Sequence, residues 1–385
     1  MKNELFYKGS FGLERETLRV DKNGRLAQTA HPFSEGENSG ITRDFCENQI
    51  ELITPVCKSV SEAVAELEKL DGIVRKKLDS IGESLWIYSN PPHFDSEDEI
   101  PIADFSGEHS GKTHYRRQLG SRYGKKLMTF SGVHFNFSFD DRYLKTLCSG
   151  DFDEWRNDFY LRLYKQLSVH SWLPLLLTAA SPIYDRSLDI DGGHGAVLGK
   201  YASVRNSERG YWNSFVPVLE FDSLGSFVKS IERYVQNGQL FSASELYLPV
   251  RLKPKGVNHI SNFKNGVSHI ELRMLDLNPT LPLGVDETDL EFLHLLIMYL
   301  SRQEDFDFSP KLQKQAVENH RNASLYELDG VEIGGVPILK KAAEILDDMA
   351  AFFSGDSSAR EIISAEFSKL DNRLSERVTL SCACV

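Results

Sequence analysis

The sequence predicts an α+β fold in which a sheet rests one face on a core and lines a wet cleft with the other. Three observations carry this prediction. Acidic and metal-binding side chains recur on alternate residues in short segments whose intervening residues are largely apolar. Stretches with helical spacing of apolar residues separate those segments. Past about residue 303 only helical patterns follow, which divides the chain into an α+β core over 1–302 and a helical appendage over 303–385 packed on it.

In chain order, residues 12–20 read as a strand with Glu14 and Glu16 on one face and Leu13 on the other. Residues 44–56 (DFCENQIELITPV) offer Asp44 and Glu51. Ser59-Val60-Ser61-Glu62 has the form of a capping box, and Val60, Val64, Leu67, Leu70, Ile73, Val74 and Leu78 follow at helical spacing, predicting a helix over 60–81. Residues 91–112 are acidic and rich in breakers, a loop signal. Residues 131–138 place His134 and Asn136 on one strand face and Val133, Phe135 and Phe137 on the other. A helical stretch over 152–179 is interrupted near Pro174, and the Gly-rich 189–199 reads as a surface loop. A helix over 226–237 precedes a strand at 269–274, with Glu271 and Arg273 on one face and Ile270 and Leu272 on the other. Helices over 287–301, 310–322, 337–353 and 359–374 complete the chain, the last three without interleaved strands.

With 385 residues the chain can bury a full core, and its 41% hydrophobic and 26% charged content is ordinary for a soluble globular protein. The net charge of −12 excludes general affinity for nucleic acid or anionic membrane, which require basic patches. The cysteines Cys46, Cys57, Cys148, Cys382 and Cys384 have neither a disulfide-framework nor a zinc spacing. The terminal Cys382-Ala383-Cys384-Val385 reads as a flexible reduced tail rather than a redox or metal motif. Residues 1–10 lack the apolar core of a signal peptide, and the longest apolar run, 172–180, is too short to span a bilayer. A cytoplasmic protein without nucleic-acid or membrane partners is expected. The oligomeric state stays open, with a monomer favoured.

Carboxylates gathered on one sheet face repel one another, and hard divalent cations are the usual remedy. The four polar segments together therefore point to phosphate chemistry on bound metal. Arg273 shares the Glu271 face and is either a guanidinium clamp on a phosphoryl group or the partner in a plain ion pair. Arg205, in Ser203-Val204-Arg205-Asn206-Ser207, is either a bidentate grip on a substrate carboxylate or a surface charge near a turn. The basic run Arg116, Arg117, Arg122, Lys125 and Lys126 either attracts anions or forms a solvated helix face. Neither a P-loop nor a G-x-G-x-x-G turn occurs, so any bound nucleotide is held otherwise.

The segments FGLERETLRV, DFCENQIELITPV, YRRQLGSRYGKK with SGVHFNFSF, AASP, SVRNSERGYWN, ELYLPVRLKP and HIELRMLDLNPTLPLGVDETDLEFL resemble, in this order over about 9–300, the glutamate–cysteine ligases of bacterial type, including the ligase half of bifunctional glutathione synthetases. The resemblance implies a curved antiparallel sheet of the glutamine synthetase-like type with surrounding helices. It implies ATP as co-substrate and Mg²⁺, or Mn²⁺, at Glu14, Glu16, Asp44, Glu51, His134 and Glu271. Arg273 matches the arginine facing the ATP γ-phosphate, and Arg205 the residue gripping the glutamate α-carboxylate. Phe45, Tyr115, Leu119, Tyr211 and Tyr247 match the wall of the acceptor pocket, and Met128 stands where the family commonly has Gln. A thioether in place of an amide removes hydrogen bonds and makes the pocket more apolar.

The resemblance thus implies ligation of glutamate to cysteine through a γ-glutamyl phosphate, the first step of glutathione biosynthesis. Ligation to a different amine remains open on account of Met128, and a metal-dependent hydrolase built on the same carboxylates is a rival from another class. The ATP-grasp half of the bifunctional enzymes is not in this sequence, so the second glutathione step is not expected.

Overall fold

Strand β1 (Gly9–Asp21) organises the main sheet, because its 13 residues are enough to pair along both edges. The structure is a computed structural model describing residues 4–105, 107 and 110–382, with Cys382 described by its backbone alone. Next along the chain come β2 (Ile41–Thr42), β3 (Gln49–Ile53), β4 (Glu83–Trp86) and β5 (Gly132–Phe139). A separate hairpin, β6 (Ile183–Asp185) and β7 (Ala196–Leu198), precedes β8 (Val250–Pro254) and β9 (Val267–Asp276). The main sheet has the order β2-β3-β1-β5-β9-β8, antiparallel throughout. Leu18 pairs with Gln49 on one side and Trp86 on the other, so β4 takes over the β5 edge of β1 where β5 has ended.

Register decides which side chains share a face. Glu14 lies opposite His134, Glu16 opposite Glu51, and Glu271 opposite both Asn136 and Arg251. Directly paired residues project to the same side, so these polar groups collect on one face. The other face presents Leu13, Ile50, Leu52, Val133, Phe135, Phe137, Ile270 and Leu272, each 1% exposed or less.

Among the described residues, the α-helices before the C-terminal part are α1 (Val60–Asp79), α2 (Ser110–Tyr123), α3 (Asp141–Leu147), α4 (Phe152–His170), α5 (Trp172–Thr178), α6 (Leu224–Gln236) and α7 (Glu287–Leu300). The apolar sheet face is covered by α1, α4, α5 and α7. The predicted capping box opens α1, with Ser59 Oγ accepting from Glu62 N at 3.1 Å. Glu62 Oε2 accepts in turn from Lys58 N at 2.6 Å, one residue ahead of the usual reciprocal bond. The C-terminal part comprises α8 (Pro310–Ala323), the short pair β10 (Glu332–Ile333) and β11 (Val336–Pro337), α9 (Ile338–Phe352), α10 (Ser357–Ser368) and α11 (Leu374–Cys382). Its Ala316, Ile338, Leu346, Met349 and Ile363 belong to the same hydrophobic core as the sheet.

Local details differ from the sequence reading. The break between α4 and α5 falls at Ser171, and Pro174 sits in the first turn of α5, where its missing N–H costs no helical bond. Strand β7 lies inside the stretch predicted as loop, and β10 and β11 interleave with the C-terminal helices. Residues 359–374 end one helix and begin another. The reading of the cysteine tail falls on the Cys382 side chain and residues 383–385, outside the described residues. Among the described residues no helix is long and apolar enough to cross a membrane.

The alternation along β1 also puts Arg15 and Arg19 on the helix-covered face, where both are buried. Arg15 pairs with Asp71 of α1 and donates to Leu283 O at 3.2 Å. Arg19 pairs with Glu83 and donates to Glu47 O at 2.8 Å. Removing one member of a buried ion pair leaves the other charge uncompensated, so we expect Asp71→Ala to cost about 3–5 kcal/mol. The double variant Asp71→Ala/Arg15→Met should regain most of that loss in urea denaturation. A single variant as stable as the parent would show that Arg15 finds another partner.

Candidate active site

The wet face of the sheet has an acidic half on β1, β3 and the loop before β3, and a basic half on β8 and β9, with His134 between them. Glu14 Oε2 lies 3.2 Å from His134 Nδ1, and Glu271 Oε1 lies 3.4 Å from the same nitrogen. With two carboxylates upon it, Nδ1 is assigned the proton, so Nε2 keeps its lone pair. Nε2 has no hydrogen-bond partner among the described residues and faces Glu16 Oε1 at 3.6 Å. Asn136 Nδ2 donates to Glu14 Oε1 at 3.2 Å, while its Oδ1 receives no donor among the described residues. Ligand atoms of Glu14, His134 and Glu271 lie within 4.8 Å of one another. From Glu14 and Asn136 a pocket of about 360 Å³ runs outward past Gly12, Thr54, Ser138 and His269.

Electrostatics divide the cluster. Burial, and then the charge of Asp44, raise Glu16 to about 8. Burial and the neighbouring carboxylates push Glu51 well above the usual range. Burial raises Asp44 as well, against the opposing charges of Arg116 and Arg273. Each of the three therefore takes up a proton more readily than a free carboxylate does, and a bound cation would oppose that. Burial and the charge of Arg273 press His134 down to about 4, leaving a neutral imidazole.

Glu271 is different. Burial opposes its charge, but Lys253, Arg273 and Arg251 hold it well below the ordinary carboxylate value. Arg273 Nη1 donates to Oε1 at 2.9 Å, Lys253 Nζ lies 3.1 Å from Oε2, and Arg251 Nε lies 3.9 Å away. Val133 pairs with Leu275 but Phe135 with Leu272, so β9 carries one extra residue opposite His134. This bulge breaks the alternation after Arg273: Met274 and Leu275 both enter the core.

Arg205 reaches the same end of β9, donating to Arg273 O at 2.9 Å and Leu275 O at 3.4 Å. Its guanidinium lies over Gly132, where a Cβ would come 2.4 Å from Cζ, so only glycine leaves this seat open. Asp276 pins the loop that bears Arg205. It accepts from Ala180 N at 3.0 Å, Ser181 Oγ at 2.8 Å, Ser203 Oγ at 3.0 Å and Asn206 Nδ2 at 3.2 Å. Asn206 Oδ1 in turn meets His320 Nε2 of α8 at 3.3 Å.

An apolar wall closes one side. Phe45, Leu119, Met128 and Tyr247 are buried in one cluster, with Tyr115 and Tyr211 packed against it. The Tyr211 and Tyr247 ring centroids are 4.1 Å apart. Gln49 joins the wall to the sheet, its Oε1 accepting from Phe45 N at 3.0 Å and its Nε2 donating to Met128 O at 3.2 Å. Burial lifts the hydroxyls of Tyr115, Tyr211 and Tyr247 above their usual range, so they keep their protons.

Most residues singled out in the sequence thus gather on this face, and the rest form its rim and wall. Arg251 and Lys253 were missed, although their alternation in VRLKP was a signal; so were the seat at Gly132 and the anchor at Asp276. The basic run of α2 and the turn after it is neither an anion patch nor a solvated face at four of its members. Arg116 donates to Asp44 O, Arg122 pairs with Glu245 at 2.7 Å, and Lys125 and Lys126 donate to Glu97 O at 2.7 Å and Asp189 O at 2.8 Å.

Known proteins resemble this chain in sequence and fold. The glutamate–cysteine ligase family profile matches residues 1–243 and 216–323. The glutathione biosynthesis bifunctional protein GshAB of Clostridium perfringens is 33% identical over 396 residues, spanning 96% of this chain and 51% of the relative. That of Listeria monocytogenes serotype 4b is 37% identical over 346 residues, spanning 84% and 44%. The crystal structure of a bifunctional glutathione synthetase from Pasteurella multocida superposes with a TM-score of 0.85 at 25% identity, over 98% of this chain and 50% of the other. A glutamate–cysteine ligase from Francisella tularensis, in complex with AMP, shares the fold with a TM-score of 0.82 at 24% identity, over 95% and 82%. The chain spans about half the length of the curated relatives it matches. On the extent of these matches, the chain belongs to the glutamate–cysteine ligase family.

Proposed function

We propose that the protein joins the γ-carboxylate of L-glutamate to the amine of L-cysteine at the expense of ATP, as the first step of glutathione biosynthesis. The layout along β5 supports this reading. Arg205 lies over Gly132 at one end, the Glu14–His134–Glu271 cluster is central, and the open pocket lies beside Ser138 at the other end. Glutamate then places its α-carboxylate on Arg205 and its γ-carboxylate at the centre, while ATP enters from the pocket.

The residues present fit the divalent cations that such a reaction uses. The donor set is rich in carboxylate oxygen, and the buried His134 Nε2 lacks a hydrogen-bond partner among the described residues. Glu14, Glu16, Asp44, Glu51, His134 and Glu271 would hold Mg²⁺, with Mn²⁺ as a substitute, and the bound ions would screen the repulsion between γ-carboxylate and triphosphate. Arg273, held charged and oriented by Glu271, balances charge on the transferring phosphoryl group. Arg251 and Lys253 add positive charge on the phosphate side. The γ-carboxylate takes the γ-phosphoryl group of ATP and ADP departs; the amine of an acceptor lodged against Phe45, Tyr115, Leu119, Met128, Tyr211 and Tyr247 then attacks the acyl carbon of the γ-glutamyl phosphate, losing a proton as phosphate departs. The same wall keeps water from the acyl phosphate.

Residues 1–302 would supply the catalytic part, and 303–385 a supporting helical part whose His320 steadies Asn206. A monomer acting in the cytoplasm is the expected form. Because Met128 is buried in the wall, a second reading, ligation to another small amine, has a specific motive.

With ATP and Mg²⁺, ADP should appear only when glutamate is present, and fastest when cysteine is added; release without glutamate would favour a hydrolase. The preference for cysteine over 2-aminobutyrate, as a ratio of kcat/KM, should stay within roughly 10–200-fold, since such apolar differences are worth about 1–3 kcal/mol. Met128→Gln should sharpen that preference, whereas an unchanged ratio would make Met128 a volume filler.

Arg205→Lys and Gly132→Ala should each raise the KM for glutamate roughly tenfold or more while changing that for ATP little, because each disturbs the guanidinium fork. Movement of the ATP constant alone would assign Arg205 to the nucleotide.

A further inference from the structure

A second group of metal-binding side chains lies apart from the cleft, where the segment between β4 and α2 meets the loop between β6 and β7. We propose that His93, Asp95 and His194 form a site for a borderline divalent cation of the zinc class, tying these two segments together. Their ligand atoms lie within 4.8 Å of one another. The His93 and His194 rings face each other with centroids 4.4 Å apart.

Asp185 prepares the site. His93 Nδ1 lies 2.9 Å from Asp185 Oδ1, so this nitrogen donates and Asp185 fixes the ring, with Nε2 turned towards Asp95. Nε2 pairs with Asp95 Oδ1 at 3.0 Å, so a cation binding between them takes the place of the Nε2 proton. A carboxylate behind a histidine that fixes its ring is the common support of a metal-bound imidazole. The same Asp185 accepts from Gly195 N at 3.1 Å and Ser187 N at 2.9 Å, so one carboxylate orients His93 and holds the loop that carries His194. Asp95 is held from its other oxygen by Arg25 Nη2 at 2.7 Å.

Two imidazoles and one carboxylate suit Zn²⁺ and its neighbours rather than Mg²⁺, which favours oxygen ligands. The partial exposure of the cluster leaves a route for the ion and room for water as a further ligand. The site therefore differs from the oxygen-rich cleft in both place and selectivity.

Zn²⁺ titration by calorimetry tests this in the full chain carrying Cys382→Ser and Cys384→Ser, which removes competing tail thiols, with Mg²⁺ saturating the cleft. One Zn²⁺ per chain is expected. His93→Ala and His194→Ala should each weaken binding by at least roughly tenfold, and Asp185→Asn by roughly 10–100-fold, the range usual for loss of a supporting carboxylate. His194 is exposed, so its variant should fold normally and keep the Mg²⁺-supported ligase rate. Substituted Co²⁺ should give a visible absorption band in the parent that His194→Ala lacks. Zn²⁺ affinity unchanged in His194→Ala, or no binding in the parent, would overturn the proposal.

Discussion

Keeping Glu271 charged while fully buried is the constraint on which the rest of the site depends. A lone carboxylate in that position would take up a proton. Two unit charges about 4 Å apart attract by roughly 4 kcal/mol at an effective dielectric of 20, so three close cations outweigh the burial cost. Arg251, Lys253 and Arg273 supply them, and His134 sits on the remaining side. In return Glu271 orients Arg273, accepting from its Nη1 at 2.9 Å.

The acidic half has no comparable supply of positive charge. Burial and neighbouring carboxylates raise Glu16, Glu51 and Asp44, so these groups take up protons more readily than ordinary carboxylates do. One sheet face thus changes from electronegative to electropositive across His134. The fold beneath is fitted to the same end: the apolar face is sealed by α1, α4, α5 and α7, and α8 sends His320 to the loop that carries Arg205.

Much of this was legible because a strand has a period of two. Glu14 with Glu16, His134 with Asn136, and Glu271 with Arg273 declare a shared face from spacing alone. Arg251 and Lys253 carry the same signal, but a basic edge strand resembles a solvated one until its register with β9 is known. Arg15 and Arg19 could be placed opposite the glutamates, yet nothing local shows that Asp71 and Glu83 await them. Gly132 and Asp276 were hidden for the same reason, since their partners at Arg205, Ser181, Ser203 and Asn206 lie roughly 70 or more residues away in the chain. The bulge opposite His134 and the short strands β7, β10 and β11 depend on pairing rather than periodicity.

The most direct test of the central claim follows an oxygen atom. Glutamate labelled with ¹⁸O in its γ-carboxylate, turned over with ATP, Mg²⁺ and cysteine, should deliver one labelled oxygen to the released phosphate, because the acyl phosphate breaks between carbon and oxygen. Phosphate without label, formed at the same rate as ADP, would contradict a γ-glutamyl phosphate and with it the ligase mechanism.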